Sequence, residues 1–243
     1  MSKKVLMING SPRKKNTYSL LTQIQQILKD CGAQTEILHL SDYEINHCKG
    51  CDDNCINKRE CAQADGMRML MRKISDSDAL VLASPVYLGG VTSKIKAFID
   101  RTNIWFHNPE IAGKPILSVV TTASTGIKET KRFFESFTTG LGGRKGGFIA
   151  RNGRSGRPVT EKELSPFLNA LLSDKKKYKP AMNEIIMFQV QKVLALKSGG
   201  GNRKFWEEKK WLDKSYFYDC NMNIAKKAFA GVMFKVISKA MNS

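Results

Sequence analysis

The sequence predicts an α/β protein: a doubly wound, five-stranded parallel sheet followed by a helical extension. Three observations carry this. Five strand-length apolar runs alternate with helical repeats in the first 150 residues. The run Ala79-Leu80-Val81-Leu82-Ala83 is apolar throughout, which suits a strand covered on both faces. The first, third and fourth runs each end in a polar, glycine-bearing loop. In such a sheet those loops share the C-terminal edge, where ligands sit.

Taken in order, residues 3–9 read as a buried strand. Leu20, Leu21, Ile24, Ile27 and Leu28 recur at helical spacing, placing a helix over about 17–31. Residues 35–40 alternate as a second strand. A cysteine-rich loop follows, then a helix near 65–76. The third strand, 79–83, runs into Ser84-Pro85-Val86-Tyr87-Leu88-Gly89-Gly90, and a helix starts near Ser93. Residues 115–121 form a fourth strand ending in Thr122-Ala123-Ser124-Thr125-Gly126. A helix over 127–141 and a short strand over 146–150 complete the alternation.

Beyond Arg151 the pattern changes, which divides the chain into a domain over 1–155 and an extension over 156–243. Gly153-Arg154-Ser155-Gly156-Arg157-Pro158 reads as a flexible basic turn, 160–172 as a helix and 185–196 as a buried helix stopped by Gly199-Gly200-Gly201. Phe205, Trp206, Trp211, Tyr216, Phe217 and Tyr218 interleave with lysines, and 222–241 closes as an amphipathic helix.

The 243 residues are 42% hydrophobic, enough for a sizeable core. No apolar run approaches the roughly 18 residues of a membrane span, and Val5–Ile8 is too short for a signal-peptide core of about 7–15 residues. These features point to a cytoplasmic address with reduced thiols. The net charge is +18, and from Arg151 onward there are 19 Lys/Arg against 8 Asp/Glu. That balance favours acidic partners: phosphate groups, nucleic acid, an anionic membrane face or an acidic redox protein.

The first loop, Asn9-Gly10-Ser11-Pro12-Arg13-Lys14-Lys15-Asn16-Thr17, lies between a strand and a helix N-terminus, where free N–H groups and the helix dipole favour an anion. It offers the Ser11, Thr17 and Ser19 hydroxyls, the Asn16 amide and the Arg13 guanidinium. The spacings of a P-loop and of G-x-G-x-x-G are both absent. No Ser-His-Asp or Cys-His grouping is readable, and His39 and His107 have no evident partner.

These loops resemble the NADPH-dependent FMN reductase family of the flavodoxin-like superfamily. The likeness rests on Gly10-Ser11-Pro12-Arg13 with Asn16-Thr17, on Ser84-Pro85-Val86-Tyr87, and on Ser93-x-x-Lys96-x-Phe98-Ile99-Asp100-Arg101. It covers about residues 1–150. It implies a flavodoxin-like strand order 2-1-3-4-5 and bound FMN. The phosphate would rest on Ser11, Arg13, Asn16 and Thr17, with Ser19 in the same loop. The isoalloxazine would lie against Pro85, Val86, Tyr87, Leu88 and Gly89, with Thr121, Thr122, Ala123, Ser124 and Gly126 at its other edge. The resemblance further implies that the flavin, not a side chain, carries the chemistry. NAD(P)H is then the co-substrate, a quinone, nitro- or azo-compound or another flavin the acceptor, and the assembly a homo-oligomer such as a dimer.

Cys48-x2-Cys51-x3-Cys55-x5-Cys61 gathers four of the six cysteines in fourteen residues, a spacing that suits one metal or cluster. It resembles the cysteine motif of the iron-sulfur flavoproteins, which implies a [4Fe–4S] cluster on Cys48, Cys51, Cys55 and Cys61. It would also imply a second role, as an electron carrier with a ferredoxin-like partner. The three residues between the second and third cysteines depart from the expected two, and zinc or free thiols stay open. Cys31 and Cys220 read as core residues. The basic aromatic tail has three readings: packing on the core or a second subunit, a membrane-surface helix, or single-strand nucleic-acid binding. The family likeness argues against sequence-specific nucleic-acid binding.

Overall fold

A computed structural model describes residues 2–51 and 53–241. At its centre is an all-parallel sheet of β1 (Lys4–Asn9), β2 (Gln34–His39), β3 (Ala79–Pro85), β4 (Pro115–Thr122) and β5 (Arg144–Asn152). The spatial order is β2-β1-β3-β4-β5, as predicted. The helices are α1 (Asn16–Asp30), α2 (Asp53–Lys58), α3 (Met67–Ser75), α4 (Ser93–Arg101), α5 (Asn103–His107), α6 (Ile127–Gly140), α7 (Glu161–Leu172), α8 (Met182–Ser198), α9 (Gly200–Glu208) and α10 (Ile224–Ala240).

The strict alternation of β1 sorts the two core layers. Val5 and Met7 face α1 and α7, burying Leu20, Leu21, Ile24, Leu164 and Phe167. Leu6 and Ile8 face the other way, with Leu70 and Ile74 of α3, Ile95 and Phe98 of α4 and Phe134 of α6. Each such side chain contributes about 1.5–3 kcal/mol of transfer free energy. Together they fix the register that brings Asn9, Pro85 and Thr122 to one edge.

Helices α2, α5 and α9 were not anticipated, because one or two turns leave little periodicity. Gly199 does end α8, at φ 62, but Gly200 and Gly201 then open α9 rather than extend a loop. At Gly201 a Cβ would meet the Asn57 carbonyl oxygen at 1.8 Å, so glycine lets α9 close on α2. β5 runs longer than the predicted 146–150.

The extension packs on the sheet's helices. Gln191 of α8 donates to the Phe106 and Gly140 carbonyls, both at 2.6 Å, and Trp206 Nε1 donates to the His107 carbonyl at 2.8 Å. Phe188, Phe205, Trp206, Trp211, Tyr216 and Phe217 form a third buried cluster. Cys31, expected in the core, is instead exposed at the C-terminus of α1, and Cys220 is half-buried beside that cluster.

Candidate functional site

The loop after β1 is built by short-range bonds. Gly10 N–H donates to the Ala83 carbonyl at 2.8 Å, and Thr92 Oγ1 donates to the Gly10 carbonyl at 2.6 Å. Asn9 Oδ1 accepts from Ser11 N–H at 3.1 Å, and Ser11 Oγ accepts from Arg13 N–H at 3.2 Å. The Asn9 amide nitrogen lies 2.7 Å from His39 Nδ1, so His39 has a partner that the sequence did not reveal. Burial lowers the His39 pKa, aided by Lys14 and opposed by Asp42, which favours the neutral ring that this bond needs.

Helix α1 follows Lys15, an N-cap residue that makes no side-chain cap bond, and has no acidic residue in its first turn, leaving its dipole uncompensated. Its first residues are tied across the sheet edge. Thr17 Oγ1 bonds Thr121 Oγ1 at 2.7 Å, and Asn16 Nδ2 donates to the Gly153 carbonyl at 3.3 Å. Gly153 N–H in turn donates to the Thr122 carbonyl at 2.7 Å.

After β3, Val86 N–H donates to the Thr121 carbonyl at 2.7 Å, and Tyr87 pairs with Gly90 through bonds of 2.9 and 3.0 Å. The two central residues of this turn, Leu88 (φ 47) and Gly89 (φ 77), are left-handed, as in the tightest hairpin turns. After β4, Thr122 Oγ1 donates to the Thr125 carbonyl and accepts from Ser124 N–H.

These loops enclose a cleft of about 390 Å³. Of the residues predicted for the site, Ser11, Arg13, Asn16, Thr17, Pro85, Val86, Tyr87, Thr121, Thr122 and Ala123 line it. Ser19 instead lines an adjoining pocket of about 150 Å³ with Arg151 and Arg157. Leu88 points fully into solvent, Gly126 backs onto Val86 and Gly89, and Ser124 shapes the turn. Three lining residues were missed: Lys15, Gly153 and Arg154. The cleft is thus lined by Arg13, Lys15 and Arg154, and no carboxylate lines it. A roomier cavity of about 530 Å³ lies between α4, α5, α6 and α8. It is walled by Phe106, Phe133 and Phe137 and holds no lysine or arginine, so it lacks the donors an anion needs.

The loop that brings Arg154 to the cleft is clamped from behind. Arg151 donates to the Arg157 and Pro158 carbonyls and, at 2.7 Å, to Glu163, which also pairs with Arg157 at 2.5 Å. The Arg151 hydrogen bond, with the Thr160 N–H, holds the Glu163 pKa down at about 2 against the opposing effect of burial. A depressed carboxylate stabilises above its unfolded pKa and loses that contribution as pH falls through the folded one. Glu163→Gln should therefore cost about 1–2 kcal/mol near neutrality. In urea titrations the gap from the parent should close between pH 4.5 and about 2.

The four cysteines are not closed into a ligand set. Cys48 and Cys51 are exposed, Cys55 and Cys61 half-buried. Among the described residues, no three His, Cys, Asp or Glu side chains stand where they could hold one metal ion. Cys55 lies on α2, which begins at Asp53, while Cys48 and Cys51 lie on irregular chain; Asp52 lies outside the described residues. The thiols are still near one another. Burial raises the Cys55 pKa, and Cys61, Cys51 and Cys48 raise it further. The expected [4Fe–4S] ligand set is thus gathered but not formed, and the residues as placed do not fit a cluster.

What holds this loop is a buried ion pair. Arg101 donates to both carboxylate oxygens of Asp65, at 2.5 and 3.0 Å, and to the Asn46 carbonyl at 3.0 Å. Both side chains are 1% exposed. Asp65 also accepts from the Asn46 and Met67 N–H groups. On the far side, Arg59 makes a two-pronged pair with Glu208 of α9 at 2.8 and 2.9 Å.

Comparison with known proteins follows this architecture. An iron-sulfur flavoprotein of Archaeoglobus fulgidus is 46% identical over 101 residues, which is 42% of this chain and 49% of that protein. An iron-sulfur flavoprotein of Clostridioides difficile is 27% identical over 196 residues, 76% of this chain and 85% of that one. The chain spans about half the length of the first of these curated relatives. The crystal structure of RosB with a bound 8-demethyl-8-formylriboflavin-5'-phosphate intermediate shares the fold, with a TM-score of 0.54 at 14% identity and 92% coverage of both chains. The family model for NADPH-dependent FMN reductase matches residues 3–142. That span runs from β1 to the end of α6 and holds the loops after β1, β3 and β4, so the chain belongs to the NADPH-dependent FMN reductase family.

Proposed function

We propose that the chain is an FMN-dependent oxidoreductase that takes electrons from NAD(P)H and passes them to a small acceptor such as a quinone, a nitro- or azo-compound or another flavin. The observation that carries this is the cleft itself. Hydroxyls of Ser11 and Thr17, an uncapped helix N-terminus and three cations converge at the C-terminal edge of a parallel sheet, beside Val86 and Tyr87. Ser11, Arg13, Asn16 and Thr17 would hold the phosphate, and Arg154 would add a cation from the fifth strand's loop. Pro85, Val86 and Tyr87 would orient the isoalloxazine, with Thr121, Thr122 and Ala123 completing its site. When bound, FMN supplies the hydride and electron chemistry, and the chain positions it and excludes water from one face.

Arg13→Ala and Thr17→Ala each remove a charge-assisted or hydroxyl bond to phosphate, worth roughly 1–3 kcal/mol. Each should weaken FMN binding by about 5- to 150-fold while leaving riboflavin, which lacks the phosphate, unaffected. Unchanged FMN affinity would place the phosphate elsewhere. Reconstituted protein should oxidise NADPH or NADH when an acceptor is present, and absence of turnover with retained FMN would refute the reductase reading.

A second reading, an iron-sulfur flavoprotein that exchanges electrons with a ferredoxin-like partner, is supported by the names of the relatives and by the proximity of the four thiols. It requires the 48–55 segment to rearrange. Iron and sulfide analysis of anaerobically purified protein separates the two.

A further inference from the structure

Helix α10 rests on α8 by one side only. Ala230 is buried, the Phe234 ring lies 5.0 Å from Lys192 Nζ, and Lys226 Nζ donates to the Pro180 carbonyl at 2.5 Å. The outward side is unlike a solvated helix surface. Every exposed position from 224 to 240 is aliphatic, glycine or lysine; none is acidic and none is neutral polar. Ile224 is 87% exposed, Val232 58% and Val236 53%. Water-facing helix surfaces carry mixed polar residues, and a run of exposed aliphatics marks a surface that something covers.

The charge pattern selects the cover. Lys227, Lys235 and Lys239 are exposed on this helix, and no Asp or Glu occurs from Cys220 to Ser243, in a chain of net charge +18. A second copy of the helix packed across a twofold axis would set lysine against lysine. An anionic partner is favoured instead. The lysines share the outward surface with the aliphatic residues, an arrangement that suits an interface apolar below and negative above: long stems let ammonium groups reach upward while valines sink. No described helix is long and apolar enough to cross a membrane, so α10, roughly 25 Å long, lies flat.

We propose that α10 docks the protein on an anionic lipid bilayer, with Ile224, Val232 and Val236 in the headgroup–acyl boundary and Lys227, Lys235 and Lys239 on lipid phosphates. The test is co-sedimentation of the full chain with vesicles of phosphatidylcholine alone or mixed with phosphatidylglycerol. Three lysines should make anionic vesicles about 100-fold better binders, and the preference should shrink with salt. Lys235→Glu with Lys239→Glu should abolish the preference. Val232→Ser with Val236→Ser should weaken binding at every salt concentration, with near-ultraviolet circular dichroism unchanged in both variants. Equal binding to both vesicle types, no binding to either, or binding that both variants retain would overturn the proposal. So would a concentration-dependent dimer that Val232→Ser with Val236→Ser dissolves while vesicle binding is absent.

Discussion

Asp65→Ala should destabilise the protein by about 3–5 kcal/mol, because it leaves the Arg101 guanidinium buried without a counter-charge. The loss is local before it is global. Asp65 joins the 46–67 segment to α4 through Arg101 and two backbone N–H groups, so the cysteine loop should open first. Cys55 and Cys61 would then react with thiol reagents far faster, and a urea titration would show reduced stability. Burial alone would raise the Asp65 pKa; the Arg101 hydrogen bonds and the Asn46 and Met67 N–H groups outweigh it and hold the carboxyl below its usual range. The pair therefore stabilises above the ordinary carboxylate range and fails as pH falls through the depressed titration. Replacing both partners, as in Asp65→Leu with Arg101→Met, should recover part of the stability: no charge is orphaned, but the Asn46 and Met67 N–H groups lose their acceptor. A single variant as stable as the parent would contradict this account.

Gly10→Ala should cost about 2–4 kcal/mol, combining overpacking with a disturbed helix cap. An added Cβ would sit 1.9 Å from Ile95 Cγ1 and 3.0 Å from the Ala83 carbonyl oxygen, in a region where Ile95 is fully buried. Ile95 cannot swing away, and the Gly10 carbonyl holds Thr92, whose hydroxyl caps α4. Thermal unfolding should show the loss, and FMN affinity should fall if the 11–17 loop holds the phosphate as proposed. Combining Gly10→Ala with Ile95→Ala removes the colliding atom. The double variant should regain FMN binding that Gly10→Ala lacks, although the new cavity keeps it less stable than the parent. If Gly10→Ala alone binds FMN as the parent does, the tight approach of this loop to α4 is not what shapes the site.

The strands were legible because each is a local run, and β1 carries its own two-face sorting in Val5 to Ile8. The first loop was legible for the same reason: Ser11, Arg13, Asn16 and Thr17 follow one another. Gly153 and Arg154 were not. They reach the cleft only because Thr121 pairs with Arg151 and Thr122 with Asn152 across β4 and β5, a register that no local window contains. The Asp65–Arg101 pair, 36 residues apart, was hidden likewise. Cysteine spacing announced a cluster, but the start of α2 at Asp53 decides where Cys55 sits, and a helix of 6 residues leaves too faint a period to read.

The bonds from Thr17 to Thr121, Asn16 to Gly153, Gly153 to Thr122 and Val86 to Thr121 tie the cleft's walls to one another. Conformational entropy that a floppy loop would surrender on binding has already been lost during folding. Only exposed side chains such as Arg13 and Arg154 remain to be immobilised, at about 0.5–1.5 kcal/mol each. Such preorganisation makes entry of an anion a matter of diffusion and charge rather than of refolding. Differences in affinity among ligands of this cleft then lie chiefly in how slowly they leave.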